Sequence, residues 1–198
     1  MPRGGLQLGL AAFGGALAAL GLPSLGLWAF AWFGLVPLVL AANAAPTARR
    51  AALCGFISGF GYHVVAVHWI YATCRFAQVP AVVSALAVMA LAAVLAVNWA
   101  AAAVLAHWLS RGAPRAARPW LWALCWTAVA SIASRWTVRF GVDLLGYTQW
   151  SNLALIQAGS WGGPHLLDFT VMLVNAALAE AWLDARDKKA DLGVPALA

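Results

Sequence analysis

The chain has 198 residues, of which 64% are hydrophobic and 9% charged. A soluble domain carries roughly 25% charged residues, so this composition excludes an ordinary cytosolic enzyme, and its apolar content excludes a disordered chain. Three cysteines exclude a disulfide-stapled module, and what remains is an integral membrane protein.

No Asp, Glu, Lys or Arg lies between Arg3 and Arg49, between Arg50 and Arg75, or between Arg75 and Arg111. A helix needs about 20 apolar residues to cross a bilayer. The first run therefore has room for two crossings and the others for one each. The runs are apolar on every face, whereas barrel strands would alternate. Helices are expected, because a helix satisfies its own backbone in lipid.

Six helices follow in chain order. The first, at 6–22, is rich in Gly and Ala and is broken by Pro23 and Ser24. No cleavage-like site and soluble domain follow it, so it reads as a crossing rather than a signal peptide. The second spans 27–42, and a polar loop at 43–50 contains Pro46, Arg49 and Arg50. The third spans 51–73 and the fourth 81–109, with a loop at 75–80 between them. The fourth exceeds one crossing and must tilt or protrude. A basic loop at 110–119 leads to the fifth, at 120–136. Residues 137–163 are mixed in character and are expected to lie along or dip into the surface. The sixth spans 164–183, with Pro164 in the tolerated first-turn position. The expected fold class is all-α, a polytopic bundle over 1–183 with a polar cytoplasmic tail at 184–198.

Basic residues set the orientation. With the N-terminus in the cytoplasm, Arg3, Arg49, Arg50, Arg111, Arg115, Arg118, Arg186, Lys188 and Lys189 fall inside, and Arg75, Arg135 and Arg139 outside. This bias accounts for the net charge of +6 without nucleic acid as a partner. The separated charges suit anionic head groups instead. Of the 12 Trp, those at 120, 122, 136, 150, 161 and 182 fall near helix ends and read as interfacial anchors.

Candidate sites are sparse. Cys54 and Cys74 fall on one expected helix about 30 Å apart and cannot pair. No CxxC or HExxH pattern marks a metal, and no cofactor is expected. His63 and His68 lie about 140° apart around a helix, so they share no face. Each His is expected to bond a backbone carbonyl or face an interface. The sixth helix carries His165, Asp168, Asn175 and Glu180, with Asp168 and Asn175 seven apart on one face. Ionisable groups in a membrane usually face protein or water. One reading is an ion path or substrate contact. The plainer one is that Asp168 and Glu180 sit near opposite interfaces, partly hydrated. Gly55 and Gly59 form a GxxxG that permits close helix packing. Ser160 beside His165 is a weak match to an intramembrane serine protease, which needs Ser and His from separate, well-placed helices.

Several segments together resemble one family. Gly55-Phe56-Ile57-Ser58-Gly59-Phe60-Gly61, His68-Trp69-Ile70-Tyr71, Phe76-Ala77 with Pro80, and Leu145-Gly146-Tyr147-Thr148-Gln149 resemble apolipoprotein N-acyltransferase in order and spacing. So do Leu155-Ile156-Gln157, Gly163 and the stretch around Val174-Asn175-Ala176. The sequence departs from the family at Ala130, Phe140-Gly141-Val142 and Gly163-Pro164-His165-Leu166-Leu167-Asp168-Phe169.

The resemblance implies a protein of the bacterial inner membrane that moves an acyl chain from phospholipid to the N-terminal Cys of lipoproteins. It implies ping-pong transfer through a Cys thioester, with a Glu base and a Lys at the oxyanion, in a nitrilase-like domain. No such Glu-Lys-Cys set is assignable here, so the chain is expected to be non-catalytic alone. Its expected partners are membrane phospholipid, lipoproteins or a separately encoded nitrilase-like subunit. Trp69, Tyr71, Phe76, Tyr147 and Gln149 are the candidate substrate- or lipid-side residues. A non-catalytic scaffold and a small transporter or lipid-handling protein are the alternatives.

Overall fold

The computed structural model describes residues 4–136 and 144–191. Among them, every regular element is helical: α1 (Gly4–Ala19), α2 (Val36–Asn43), α3 (Ala48–Ala66), α4 (Trp69–Phe76), α5 (Ala81–Ser110), α6 (Arg118–Trp136), α7 (Leu153–Gln157), α8 (Gly159–Gly162) and α9 (Pro164–Asp191), with 3-10 turns at Trp28–Trp32, Arg115–Ala117 and Leu145–Gln149. By length and composition, two described helices are able to cross a membrane, Ala81–Ser110 and Pro164–Lys188. The bent pair α3–α4 makes a third if it is one span, and Gly4–Ala19 and Trp28–Asn43 are shorter apolar helices.

The expected second helix is split. Trp28–Trp32 is a 3-10 turn, and α2 starts only at Val36, with Pro37 in its first turn. Proline has no N–H to give and fixes φ, so it starts a helix more readily than it continues one. Gly34, between the two pieces, lies against the backbone of Ala18, where a Cβ would approach within 2.6 Å. The expected third helix is also two pieces. Thr47 caps α3 through its hydroxyl, which accepts from the Arg50 N–H at 3.3 Å. The helix ends at Ala66 and resumes at Trp69, bent by 48°. There the His68 ring bonds the Val65 carbonyl at 2.7 Å, a side chain taking a group from the helical ladder. Cys54 and Cys74 thus lie on separate helices rather than on one.

Packing order follows from close approaches. Gln7 Nε2 donates to the Ala44 carbonyl at 3.0 Å while Gly14 meets Gly34 and Leu38, so α1 and residues 28–43 are antiparallel. Gly55 and Gly59 press α3 onto α5 at Trp99, Ala100 and Ala103, an antiparallel seam. Gly15 is the tightest point, since a Cβ there would sit 2.0 Å from the Ser58 carbonyl oxygen. Arg118 near Glu180 and Ser134 near His165 set α6 antiparallel to α9. The core between them is small-residue rich, with Ala11, Ala18, Leu38, Tyr62, Trp122 and Met172 among its buried members.

The basic loops gather at one end. Arg50 reaches the Gly4 carbonyl, His107 Nδ1 bonds the Ala42 carbonyl at 2.9 Å, and Arg115 pairs with Asp184 and Asp187. The other end holds the 3-10 turns at 28–32 and 145–149. Gly163 leads into α9 at φ 67° and ψ −169°, a region essentially reserved for glycine. The polar segment expected as a tail continues α9 to Asp191, and residues 192–198 lie outside the described residues.

Candidate functional site

At the turn end, α9 presents polar side chains to non-helical backbone. Asn175 is fully buried. Its Oδ1 accepts from the Leu35 N–H at 2.8 Å, and its Nδ2 donates to the carbonyls of Ala31 and Val171 at 2.7 and 2.9 Å. Leu35 precedes α2, which has no side-chain cap of its own, so Asn175 caps it from across the bundle. Asp168, also fully buried, accepts the Gly146 N–H at 3.1 Å. Gln149 accepts from Trp32 Nε1 at 2.9 Å and donates to the Trp28 carbonyl at 3.2 Å and to Thr148 Oγ1 at 3.1 Å. Thr148 donates to the Leu145 carbonyl at 2.6 Å. In apolar surroundings an open backbone group costs several kcal/mol. These side chains supply the partners that the broken helices leave missing.

Beside this network lies a cavity of about 40 Å³, lined by Asn98, Trp99, Trp126, Ser134, Leu145 and Asp168 among others. It has room for water-sized groups. Trp99 forms one wall, 4.6 Å from Trp126, 4.8 Å from Tyr62 and 5.4 Å from His63 between ring centroids. Ser134 Oγ and His165 Nε2 face each other at 3.5 Å from separate helices. Sequence reasoning missed this pair because 31 residues separate its members. It lacks the makings of a nucleophile and base. The Ser134 hydroxyl donates to the Ser131 carbonyl at 3.1 Å, and His165 Nδ1 has no hydrogen-bond partner among the described residues to orient the ring. Ser160 is exposed and donates to the Gln157 carbonyl at 2.7 Å, away from His165.

The other sequence-selected residues fall as follows. Trp69, Tyr71 and Phe76 are exposed on α4, and no residue of that helix is buried. Tyr147 is exposed, while Gln149 two positions on is buried. Asp168 and Glu180 are both buried in the protein, and Asp168 also lines the cavity. Trp120, Trp150, Trp161 and Trp182 are exposed, but Trp122 is fully buried and donates to Asn43 Oδ1 at 3.0 Å. The side chain of Trp136 lies outside the described residues, as do Arg139 and the Phe140-Gly141-Val142 segment. His63, His68 and His107 each bond a backbone carbonyl. The cysteines are free, and no group of three potential metal-binding side chains occurs among the described residues. At the basic end, hydrogen bonds to Asp187 and Asp184 raise the pKa of the Arg115 guanidinium further above its ordinary value.

A chain whose described elements are all helical, with apolar helices long enough to cross a bilayer and with buried Asp168 and Asn175 turned onto its own backbone, is a membrane-type helix bundle. Comparison with known proteins gives this bundle a family. The apolipoprotein N-acyltransferase N-terminal domain profile matches residues 14–177, and the chain belongs to that family. It is 30% identical over 171 residues to an apolipoprotein N-acyltransferase of Geobacter metallireducens, a match covering 85% of this chain and 32% of the relative. The chain thus spans about a third of the length of that curated relative.

Proposed function

We propose that this bundle is the membrane-embedded part of an N-acyltransferase system of the bacterial inner membrane, which transfers an acyl chain from phospholipid to the N-terminal Cys of lipoproteins. The family match over residues 14–177 carries this reading. In it the chain crosses six times with its N-terminus in the cytoplasm. The crossings are α1, residues 28–43, the bent pair α3–α4, α5, α6 and α9. The gathering of Arg49, Arg50, Arg111, Arg115, Arg118 and Arg186 at helix ends and turns on one side of the bundle supports that orientation. Trp69, Tyr71, Phe76 and Tyr147 then lie toward the periplasmic side, where lipid and lipoprotein meet the protein, and Gln149 holds the turn that carries Tyr147.

Acyl transfer itself requires the nitrilase-like Glu-Lys-Cys part in addition, joined to these residues or supplied separately. The transporter reading gains nothing from Asn175, whose three hydrogen bonds all go to backbone groups.

The test has two arms on the 198-residue chain expressed in bacterial membranes. Single cysteines replacing Gln78 and Gly112 in a cysteine-free background are treated with an impermeant maleimide from outside. Labelling at 78 and not at 112 is expected, and the reverse overturns the orientation. Acylation of a diacylglyceryl-Cys peptide is followed by mass, with and without a nitrilase-like domain. Transfer only with the domain is expected. Transfer by this chain alone overturns the non-catalytic reading, and transfer in neither case overturns the acyltransferase role.

A further inference from the structure

At the arginine-rich end, a second cavity of about 210 Å³ lies between the end of α2, the last turn of α5 and the start of α6. It is lined by Asn43, His107, Ser110, Arg111 and Arg118. That is far more space than one water requires. Two of its lining side chains are more than nine-tenths buried and have a polar atom with no hydrogen-bond partner: His107 at Nε2 and Ser110 at Oγ. His107 Nδ1 is fixed by the Ala42 carbonyl at 2.9 Å, so Nε2 is the ring nitrogen without a partner. Asn43 is already engaged, donating to Glu180 at 3.3 Å and accepting from Trp122 at 3.0 Å. Orphaned buried polar atoms are costly and call for a partner.

The charged lining says what kind. Arg118 Nη1 lies 3.8 Å from Glu180 Oε2, and among the described residues no acid pairs with Arg111. Among the described residues no acid lines the cavity itself, whose charged groups are two guanidiniums. We propose that this cavity binds a phosphate group. Arg111 and Arg118 bring planar forks suited to phosphate oxygens, and Ser110 Oγ–H donates to a third. His107 Nε2 accepts a hydrogen bond from a water held beside the phosphate. The group comes from a phospholipid head or from free phosphate. The site is at the opposite end from Asp168 and does not depend on the acyl-transfer reading.

The 198-residue chain is purified in neutral detergent without phosphate and examined by native mass spectrometry with added dioleoyl phosphatidylglycerol. Its thermal stability is followed separately with inorganic phosphate. One retained phospholipid per chain is expected, weakened at least tenfold by Ser110→Ala with Arg111→Gln and unchanged by Arg186→Gln, an exposed charge on α9 that does not line the cavity. Stabilisation by inorganic phosphate, lost in the same double variant and without lipid retention, assigns the site to free phosphate. Equal lipid retention and equal phosphate response in wild type and double variant overturn the proposal. So does an equal loss in Arg186→Gln, the mark of general attraction to a basic surface. Ser110→Ala alone, which keeps the charge, carries the same test should the double variant unfold.

Discussion

At the turn end of the bundle, α9 meets its neighbours through Asp168 and Asn175, both fully buried and both bonded to backbone groups. At the arginine-rich end it meets them through Glu180, Asp184 and Asp187, whose partners are side chains: Asn43, Arg118 and Arg115. The first end has interrupted helices to repair and does so with short, geometrically fixed bonds. The second has charges to place and leaves Arg115, Asp184 and Asp187 about half exposed. The same helix therefore stabilises structure at one end and manages charge at the other. An ion pair in high dielectric contributes little, whereas an open backbone group in an apolar interior is expensive.

The strongest way to break this comparison is to remove what both ends share. Gly15→Val places a side chain into the Ser58 carbonyl, where a Cβ alone would sit at 2.0 Å, so the α1–α3 seam must open. The expected loss exceeds about 4 kcal/mol, enough to abolish folding, and is read as loss of a cooperative transition in mixed-micelle denaturation. A smaller effect separates the ends. Asn175→Ala leaves the Leu35 N–H and the Ala31 carbonyl open. It is expected to cost about 3 kcal/mol at any salt concentration, measured by the same unfolding assay at low and high salt. The smallest effect is at the charged end. Arg115→Gln is expected to leave unfolding within error of the wild type. A clear, salt-sensitive destabilisation there would erase the contrast.

Much of the fold is legible in the chain itself. The charge-free runs mark the helices, Gly55 and Gly59 mark a seam, and Pro164 marks the start of α9 to the residue. The breaks are not legible. Residues 28–43 and 51–73 are apolar on every side, so hydrophobic periodicity carries no face and no boundary. The bend at 67–68 comes from a ring-to-carbonyl bond that no pattern of residue types announces. Gln149 and Trp122 are buried against expectation. Gln149 reads as a substrate- or lipid-side residue, and a Trp near a helix start reads as an interfacial anchor. Their burial rests on partners at Trp32 and Asn43, 117 and 79 residues away. The pairing of Ser134 with His165 is equally non-local.

The anchoring of α9 has a mechanical consequence. Asp168 and Asn175 are seven residues apart and point the same way, while Glu180 is turned by about 140° from Asn175 at 100° per residue. Each is fastened to a different part of the molecule: the 145–149 turn, the 28–36 segment, and Asn43. Rotation of the helix about its axis would swing all three out of engagement together. A piston stroke along the axis would slip them past their partners by steps of about 1.5 Å per residue. The helix behaves as a key with teeth on two flanks, seated in a lock. A motion that passes through this bundle with its bonds intact is a tilt of the whole assembly, neither a twist nor a slide.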